Sequence, residues 1–559
     1  MVVLTPQSEF GVAPPPTTPY SIVSNIPLWE NSRKFRDGDM SVAAKLKHIY
    51  PRFGPTHYVA QLGMEIAKRL DLEGKGIFLY LNPDMWAYTA RHATTKSHRA
   101  EHVLKPEDLT FRCVDIAGHR VYAVLYDVRN TFGVMESWGN PGLGLSIRGA
   151  EQLLEGIDHL WEVPLSGDNK ETPPEPTWTP ESDAHDGLRE RISELVNRAP
   201  RDPGTFVKSR PHDVFLYPTG MAAVHHSTRT VLKYRPGTLV ILGVVFHSTH
   251  HHLLEESPHG FKHIGKVDEE AMDELERWLD EQKAEDKPVS YVLVEFPGNP
   301  TLDTPDVARV KRLSEKHNFV LVVDDTIASF ANVDLLDQCD ILLTSLTKSF
   351  SGLANVMGGS IVLSPSSPHY TSLSPLFTST HRNELFARDA KVLLSNSNDF
   401  LNRAAILNRN AAAVAAFLSE RMAGDPDCPV VKVRHPSLLP SRPLYDAFKR
   451  APTPQLPEPA YGCLFTLDFE NEDAASTFHD NCGFYPSPHL GAHVTIQLAY
   501  NMVVWGRRPE ERARFRELGI KEEAVRISVG LEAAEDIVDT IRYALDKTVA
   551  LKKDGYKKD

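Results

Sequence analysis

Five runs of nearly uninterrupted apolar residues constrain this chain most: LVILGVVF at 239–246, SYVLV at 290–294, FVLVV at 319–323, ILL at 341–343 and SIVL at 360–363. A strand with one face in water alternates apolar and polar side chains. A strand buried on both faces has no such need, so continuous runs suit the interior of a parallel sheet. Between the runs lie amphipathic helical segments. One carries Met272, Leu275 and Leu279; another carries Val307, Val310 and Leu313, with Lys316 and His317 near its C-terminal end. Strand–helix alternation predicts an α/β fold over 187–395, with a mostly parallel central sheet and flanking helices.

The rest of the chain has a different texture. Residues 1–20, with Pro14-Pro15-Pro16, read as an extended or disordered arm. From 21 to 170 helical stretches such as 56–70 alternate with strand-like ones such as 119–126, as in a separate N-terminal extension domain. The Pro-rich, acidic stretch 171–186 reads as a linker. Beyond 395 a long helix with Leu401, Leu407, Val414 and Leu418 on one side is followed by a Pro-rich loop at 436–460. A strand at 463–468 and a last helix with Ile537, Ile541 and Leu545 complete a smaller α+β C-terminal unit, 396–559.

Bulk properties exclude several function classes. The 559 residues carry a formal net charge of -13, so no basic field covers the surface and nucleic acid is not the expected partner. Five scattered cysteines show no C-x-x-C spacing, which supports neither a disulfide framework nor a zinc knuckle, and no metal site is expected. No signal-peptide profile and no run of membrane-spanning length are present. A soluble, cytoplasmic protein that does not engage a membrane is the expectation.

The densest chemical signal lies at 319–359. One strand ends in Asp324-Asp325, and the next delivers Thr344, Ser345, Thr347 and Lys348, followed by a Ser/Gly turn. In α/β sheets ligands gather at such C-terminal strand ends. An apolar strand ending in Asp-Asp would suit a P-loop NTPase, but no G-x-x-x-x-G-K-[ST] is present. Ser345-x-x-Lys348 fits S-x-x-K, but S-D-N and K-T-G are missing. Pyridoxal 5'-phosphate (PLP) needs a Schiff-base lysine, a carboxylate for its pyridine nitrogen, and hydroxyls or amides for its phosphate, and successive strand ends offer all three.

This segment resembles the PLP-dependent Cys/Met-metabolism (trans-sulfuration) family of fold type I, and within it the fungal type of cystathionine γ-synthase. The resemblance extends to Tyr50-Pro-Arg-Phe and to GNPGLGLSIRGAE at 139–151. It implies that Lys348 forms the Schiff base, that Asp324 pairs with the pyridine nitrogen, and that Ser345 and Thr347 bind the phosphate. Thr219-Gly220-Met221, opening a helix after DVFLY at 213–217, matches the turn whose amides hold the phosphate. Asn299 matches a residue that bonds the cofactor's 3'-oxygen, although an Asn-Pro turn explains it equally. Arg526 matches the fork for the substrate carboxylate, with a strand-edge ion pair as the alternative. His489 and Leu490 fall beside the substrate. Arg148 corresponds to an arginine that reaches the phosphate from a neighbouring subunit, and the family implies a homodimer or homotetramer.

Phe246 stands where the family has its cofactor-stacking tyrosine, so the stacking face is kept and the hydroxyl is lost. The histidines after it, His247 and His250 to His252, are read as bordering the site, as acid–base groups. The expected reaction is γ-replacement on an O-acyl-L-homoserine with cysteine as nucleophile, giving cystathionine. Two enzymatic alternatives are another nucleophile, including a carbon one, and a γ-lyase. A PLP-binding protein without turnover is the non-enzymatic alternative.

Overall fold

The computed structural model describes residues 2–95, 102–165 and 172–556. Near the N-terminus four strands form one sheet: β1 (Lys75–Tyr80), β2 (Leu109–Ile116), β3 (His119–Asp127) and β4 (Trp161–Glu162), in the order β1-β3-β2-β4. Helices Tyr58–Arg69, Asp84–Thr94, Thr131–Gly139 and Ile147–Glu155 accompany it.

The central sheet has seven strands: β5 (Val214–Tyr217), β6 (Thr238–Leu242), β7 (Phe261–Ile264), β8 (Val289–Glu295), β9 (Val320–Asp324), β10 (Ile341–Thr344) and β11 (Gly359–Leu363). Their order is β5-β11-β10-β9-β8-β6-β7. Neighbours from β10 through to β7 run parallel, whereas β11 is antiparallel to both β10 and β5. Every residue of β8, β10 and β11 is buried, as their continuous apolar composition requires. The 239–246 run departs from a single strand. It stops at Leu242, because Gly243 takes φ +84°, and 243–246 lead into the helix His247–Glu255. That turn is what carries Phe246 over the C-terminal edge of the sheet.

The C-terminal part builds a third sheet from β12 (Val430–Arg434), β13 (Leu464–Phe469), β14 (Tyr485–Pro486), β15 (Ile496–Leu498) and β16 (Ala524–Ser528), in the order β12-β13-β16-β15-β14. The long helix Phe400–Gly424 and the last helix Ala534–Lys553 accompany it.

Two expectations about connecting segments need correction. The arm, described from Val2 onward, is tied down. The Val2 amide donates to Asp539 at 3.1 Å, that of Leu4 to the Thr540 hydroxyl at 2.8 Å, and that of Gln7 to the Tyr485 hydroxyl at 3.0 Å. Of the 171–186 linker, residues from Asp183 onward already belong to the helix Asp183–Asn197. Upstream of it, Pro174 and Glu175 accept from Tyr122 and Arg120 of β3. A proline-rich stretch with few apolar residues still becomes ordered when its carbonyls find buried donors. No helix among the described residues is long and apolar enough to cross a membrane.

Candidate active site

Parallel register fixes the carboxylates. Glu295 and Asp324 end β8 and β9 directly opposite one another. Both line a cavity of about 380 Å³ that opens at this edge of the sheet. Burial raises Asp324 to about 6, against hydrogen bonding from Thr326, whose amide donates to it at 2.9 Å. Glu295 is pushed well above the usual carboxylate range, first by burial and then by Asp324 beside it. Its two oxygens accept from the amides of Phe246 (2.6 Å) and Asn299 (3.2 Å), so this one carboxyl sets both of those residues over the cavity.

Lys348 follows β10, half-buried on the cavity wall, and burial lowers the proton affinity of its amine. Its Nζ lies 3.3 Å from His489 Nδ1 and 3.5 Å from the Tyr50 hydroxyl. Arg526 on β16 stacks over the Tyr500 ring at 3.7 Å. It donates to Asn299 Oδ1 at 3.1 Å and to the His489 carbonyl at 3.2 Å. No carboxylate forms an ion pair with Arg526 or with Lys348 among the described residues. Leu490 lies on the same wall, next to Pro488.

At the other end the helix Gly220–Tyr234 begins, capped by the Thr219 hydroxyl, which accepts from the Ala222 amide at 2.9 Å. Gly220 is pressed against Ser345: a Cβ added there would come within 2.8 Å of the Ser345 Cβ. Ser345 is held in turn by its amide, which donates to the Thr326 hydroxyl at 2.8 Å. Asn140 closes this end, with its buried Nδ2 facing no hydrogen-bond partner. Arg52 joins it, its Nε donating to the Gly139 carbonyl at 2.8 Å and its guanidinium 5.3 Å from the centre of the Phe246 ring. A helix N-terminus, a hydroxyl, an unused amide donor and an arginine without an ion pair make a receptor for a dianion.

Tested against PLP, the donor set fits at each end. Gly220, Met221, Ser345, Asn140 and Arg52 would hold the phosphate, Asp324 the pyridine nitrogen, Phe246 the ring face and Lys348 the aldehyde carbon. Asn299, with its amide oxygen on Arg526, would lie between cofactor and substrate.

The Thr347 hydroxyl, expected on the phosphate, is engaged elsewhere; Arg148, expected to serve a neighbouring subunit, and the Thr219 hydroxyl make contacts within this chain. Arg148 is not on the cavity wall: its guanidinium donates to the Asn355 carbonyl at 2.8 Å, pairs with Asp389 at 3.4 Å and stacks over Tyr20 at 4.0 Å. Its charge is spent in that buried pair. The Thr347 hydroxyl is turned to the Gly358 backbone, donating to its carbonyl at 3.2 Å. The Thr219 hydroxyl caps its own helix and donates to the Gly142 carbonyl at 2.9 Å. Of the histidine run only His247 borders the cavity, 3.3 Å from the Tyr500 hydroxyl. His250 packs among His263, Trp505 and Phe515 and is driven by burial well below the usual imidazole range. Among the described residues no cluster of His, Cys, Asp and Glu has a metal-binding arrangement.

Tyr50, Arg52 and Asn140 were the residues that motif reading left without roles. Tyr50-Pro-Arg-Phe and the 139–151 segment are the signals that carry them. Their function depends on the N-terminal part folding over the edge of the central sheet, which no local pattern encodes.

Comparison with known proteins agrees with this geometry. Residues 209–546 match the family model described as Cys/Met metabolism PLP-dependent enzyme. An alanine racemase of Aspergillus violaceofuscus is 30% identical over 95% of this chain and 96% of its own length. The cystathionine gamma-synthase of Neurospora crassa is 32% identical, but over 60% of this chain and 52% of its own. Among solved structures, cystathionine gamma-lyase from yeast superposes with a TM-score of 0.53 at 23% identity, over 67% of this chain and 89% of that one, which speaks to the fold alone.

Proposed function

Because the chain belongs to the Cys/Met metabolism PLP-dependent enzyme family, we propose that it takes an amino acid by its carboxylate on Arg526 and replaces the substituent at Cγ, as on an O-acyl-L-homoserine. With cysteine as nucleophile the product is cystathionine. PLP, when bound, supplies the electron sink that acidifies the hydrogens at Cα and Cβ. Everything else is done by the chain. Arg526 offers a planar fork to the carboxylate, held flat by Tyr500 and Asn299. The Lys348 amine, made neutral more easily by burial, removes the Cα proton and then a Cβ proton before the γ-acyloxy group leaves. The low-dielectric, enclosed setting strengthens each of these interactions.

One observation supports this reading: two proton-bearing groups, His489 and Tyr50, lie within 3.5 Å of the Lys348 amine. γ-Replacement moves protons at two carbons, and a single isolated lysine would have to be re-set between them.

A second nucleophile class is favoured by the apolar part of the cavity wall. There Phe35, Met40, Phe53, Phe132 and Met135 line the wall, and Arg36 and Glu136 among them are already paired. Arg36 holds Asp37 through two bonds of 2.7 and 2.9 Å, and Glu136 holds Arg508 at 2.9 Å. With Arg36 paired and Arg52 assigned to the phosphate, no other described residue on this part of the wall offers a cation to the carboxylate of a second amino acid, so an uncharged nucleophile, including a carbon one, suits it better than cysteine.

The test is mass spectrometry of products from the PLP-loaded protein with O-acetyl-L-homoserine, with and without L-cysteine. Cystathionine that requires both cysteine and Lys348 supports the first reading. Loss of substrate without cystathionine supports the second nucleophile class. Conversion of L-alanine to D-alanine with no loss of O-acetyl-L-homoserine would contradict both and point to the activity named for the Aspergillus relative.

A further inference from the structure

We propose that Tyr50 is a proton relay for Lys348, supplying from the N-terminal part of the chain the hydroxyl that position 246 lacks. The proposal rests on the γ-replacement reading and adds to it how the lysine is re-set. Phe246 contributes a ring and no proton. Tyr50 is buried on the cavity wall, with its hydroxyl 3.5 Å from Lys348 Nζ and that nitrogen 4.5 Å from the centre of its ring.

The groups facing Tyr50 come from three directions. Lys348 follows β10, Arg52 lies two residues along the Tyr50 turn, and His489 precedes β15, its ring centre 6.0 Å away. Burial alone would raise the phenol, but the Lys348 and Arg52 cations outweigh it and the net shift is downward. His489 is kept neutral, first by burial and then by the Lys348 and Arg526 charges, so it is the poorer proton acceptor.

The proton balance follows. The neutral Lys348 amine takes the Cα proton and becomes an ammonium. Beside that ammonium and Arg52, Tyr50 in its phenolate form accepts the proton and becomes a phenol, which leaves the amine free to take the Cβ proton as the Cγ–O bond breaks and the carboxylate departs with its electron pair. After the nucleophile, entering as its anion and so balancing the departed carboxylate, has bonded to Cγ, the ammonium returns its proton to Cβ. The phenol re-protonates the amine, which delivers the last proton to Cα. No proton is created or lost, and no oxidant is required.

The experiment compares wild-type, Tyr50→Phe and Tyr50→Phe/Phe246→Tyr holoenzymes in deuterium oxide with O-acetyl-L-homoserine, following exchange at Cα and Cβ by NMR. Tyr50→Phe is expected to keep Cα exchange within about 3-fold of wild type and to lose Cβ exchange and product by about 100-fold. The double variant is expected to recover at least about 10-fold of the loss, by returning a hydroxyl to position 246. A readout independent of turnover is the pH titration of the absorbance of the cofactor bound to Lys348. Tyr50 raises the proton affinity of the lysine, so Tyr50→Phe moves the midpoint down. Unchanged Cβ exchange with an unchanged midpoint would overturn the relay. So would equal loss of Cα and Cβ exchange, which marks a role in holding the fold or cofactor. Absence of Cα exchange in wild type would overturn the γ-replacement reading beneath it.

Discussion

Asp324 shows most clearly what a bound cation would do at this site. Its carboxyl titrates near 6 because burial opposes its charge, whereas an unfolded aspartate ionises near pH 4. Folding stability from this group is therefore fully present below about pH 4 and is lost as pH rises through about 6. A protonated pyridine nitrogen on Asp324 removes that loss. The melting temperature of PLP-loaded protein should exceed that of PLP-free protein by more at pH 7.5 than at pH 5, and Asp324→Asn should erase the widening. Equal gaps at both pH values, by calorimetry, would contradict the assignment. At Arg526 the guanidinium makes two directed bonds and a ring contact, so Arg526→Lys keeps charge but loses geometry. The KM for the amino acid should rise about 10-fold or more with a smaller change in kcat. Steady-state kinetics in which kcat alone changed would place Arg526 outside carboxylate binding.

The phosphate end is built by elements meeting closely enough to need glycine. A Cβ on Gly359 would lie 2.3 Å from the Thr219 carbonyl oxygen, and one on Gly220 would strike Ser345. Gly220→Ala should therefore weaken PLP binding by about 10-fold or more, a loss of about 1.4 kcal/mol, while the far-UV spectrum of the fold is kept. Binding unchanged in fluorescence titration would show that the helix N-terminus is not the anion receptor. This scale also explains what could be read before the structure. Lys348, Asp324, Ser345 and Gly220 were legible because strand, turn and chemistry are contiguous in sequence. Thr347 has the right side chain in the right motif, but its hydroxyl is engaged by the Gly358 backbone, a pairing set by how the Ser/Gly turn folds back and not by residue type. Tyr50 and Arg52 were visible as a motif yet silent in role, because the contact that defines them spans almost three hundred residues. The apolar runs announced the central sheet. The turn at Gly243 that ends one of them early depended on a single positive φ.

At the scale of the whole molecule, the N-terminal part is a wall of the active site. It is clamped beside the cavity by Arg508, 4% exposed, which pairs with Glu136 at 2.9 Å and reaches Glu255 at 4.0 Å. Glu255 also meets His92 of the helix Asp84–Thr94 at 3.1 Å. Arg508→Ala leaves two carboxylates facing each other without their cation and should destabilise the fold by about 3 kcal/mol, read as a lowered denaturation midpoint. An unchanged midpoint would mean that the clamp contributes nothing. The central claim is that Lys348, in this enclosed site, removes the α-proton of a bound amino acid. Its most direct test is proton NMR of O-acetyl-L-homoserine with the PLP-loaded protein in deuterium oxide. The account predicts that the Cα–H signal disappears with wild type and persists with Lys348→Ala. A Cα–H signal untouched by wild type, or lost equally with Lys348→Ala, would contradict it.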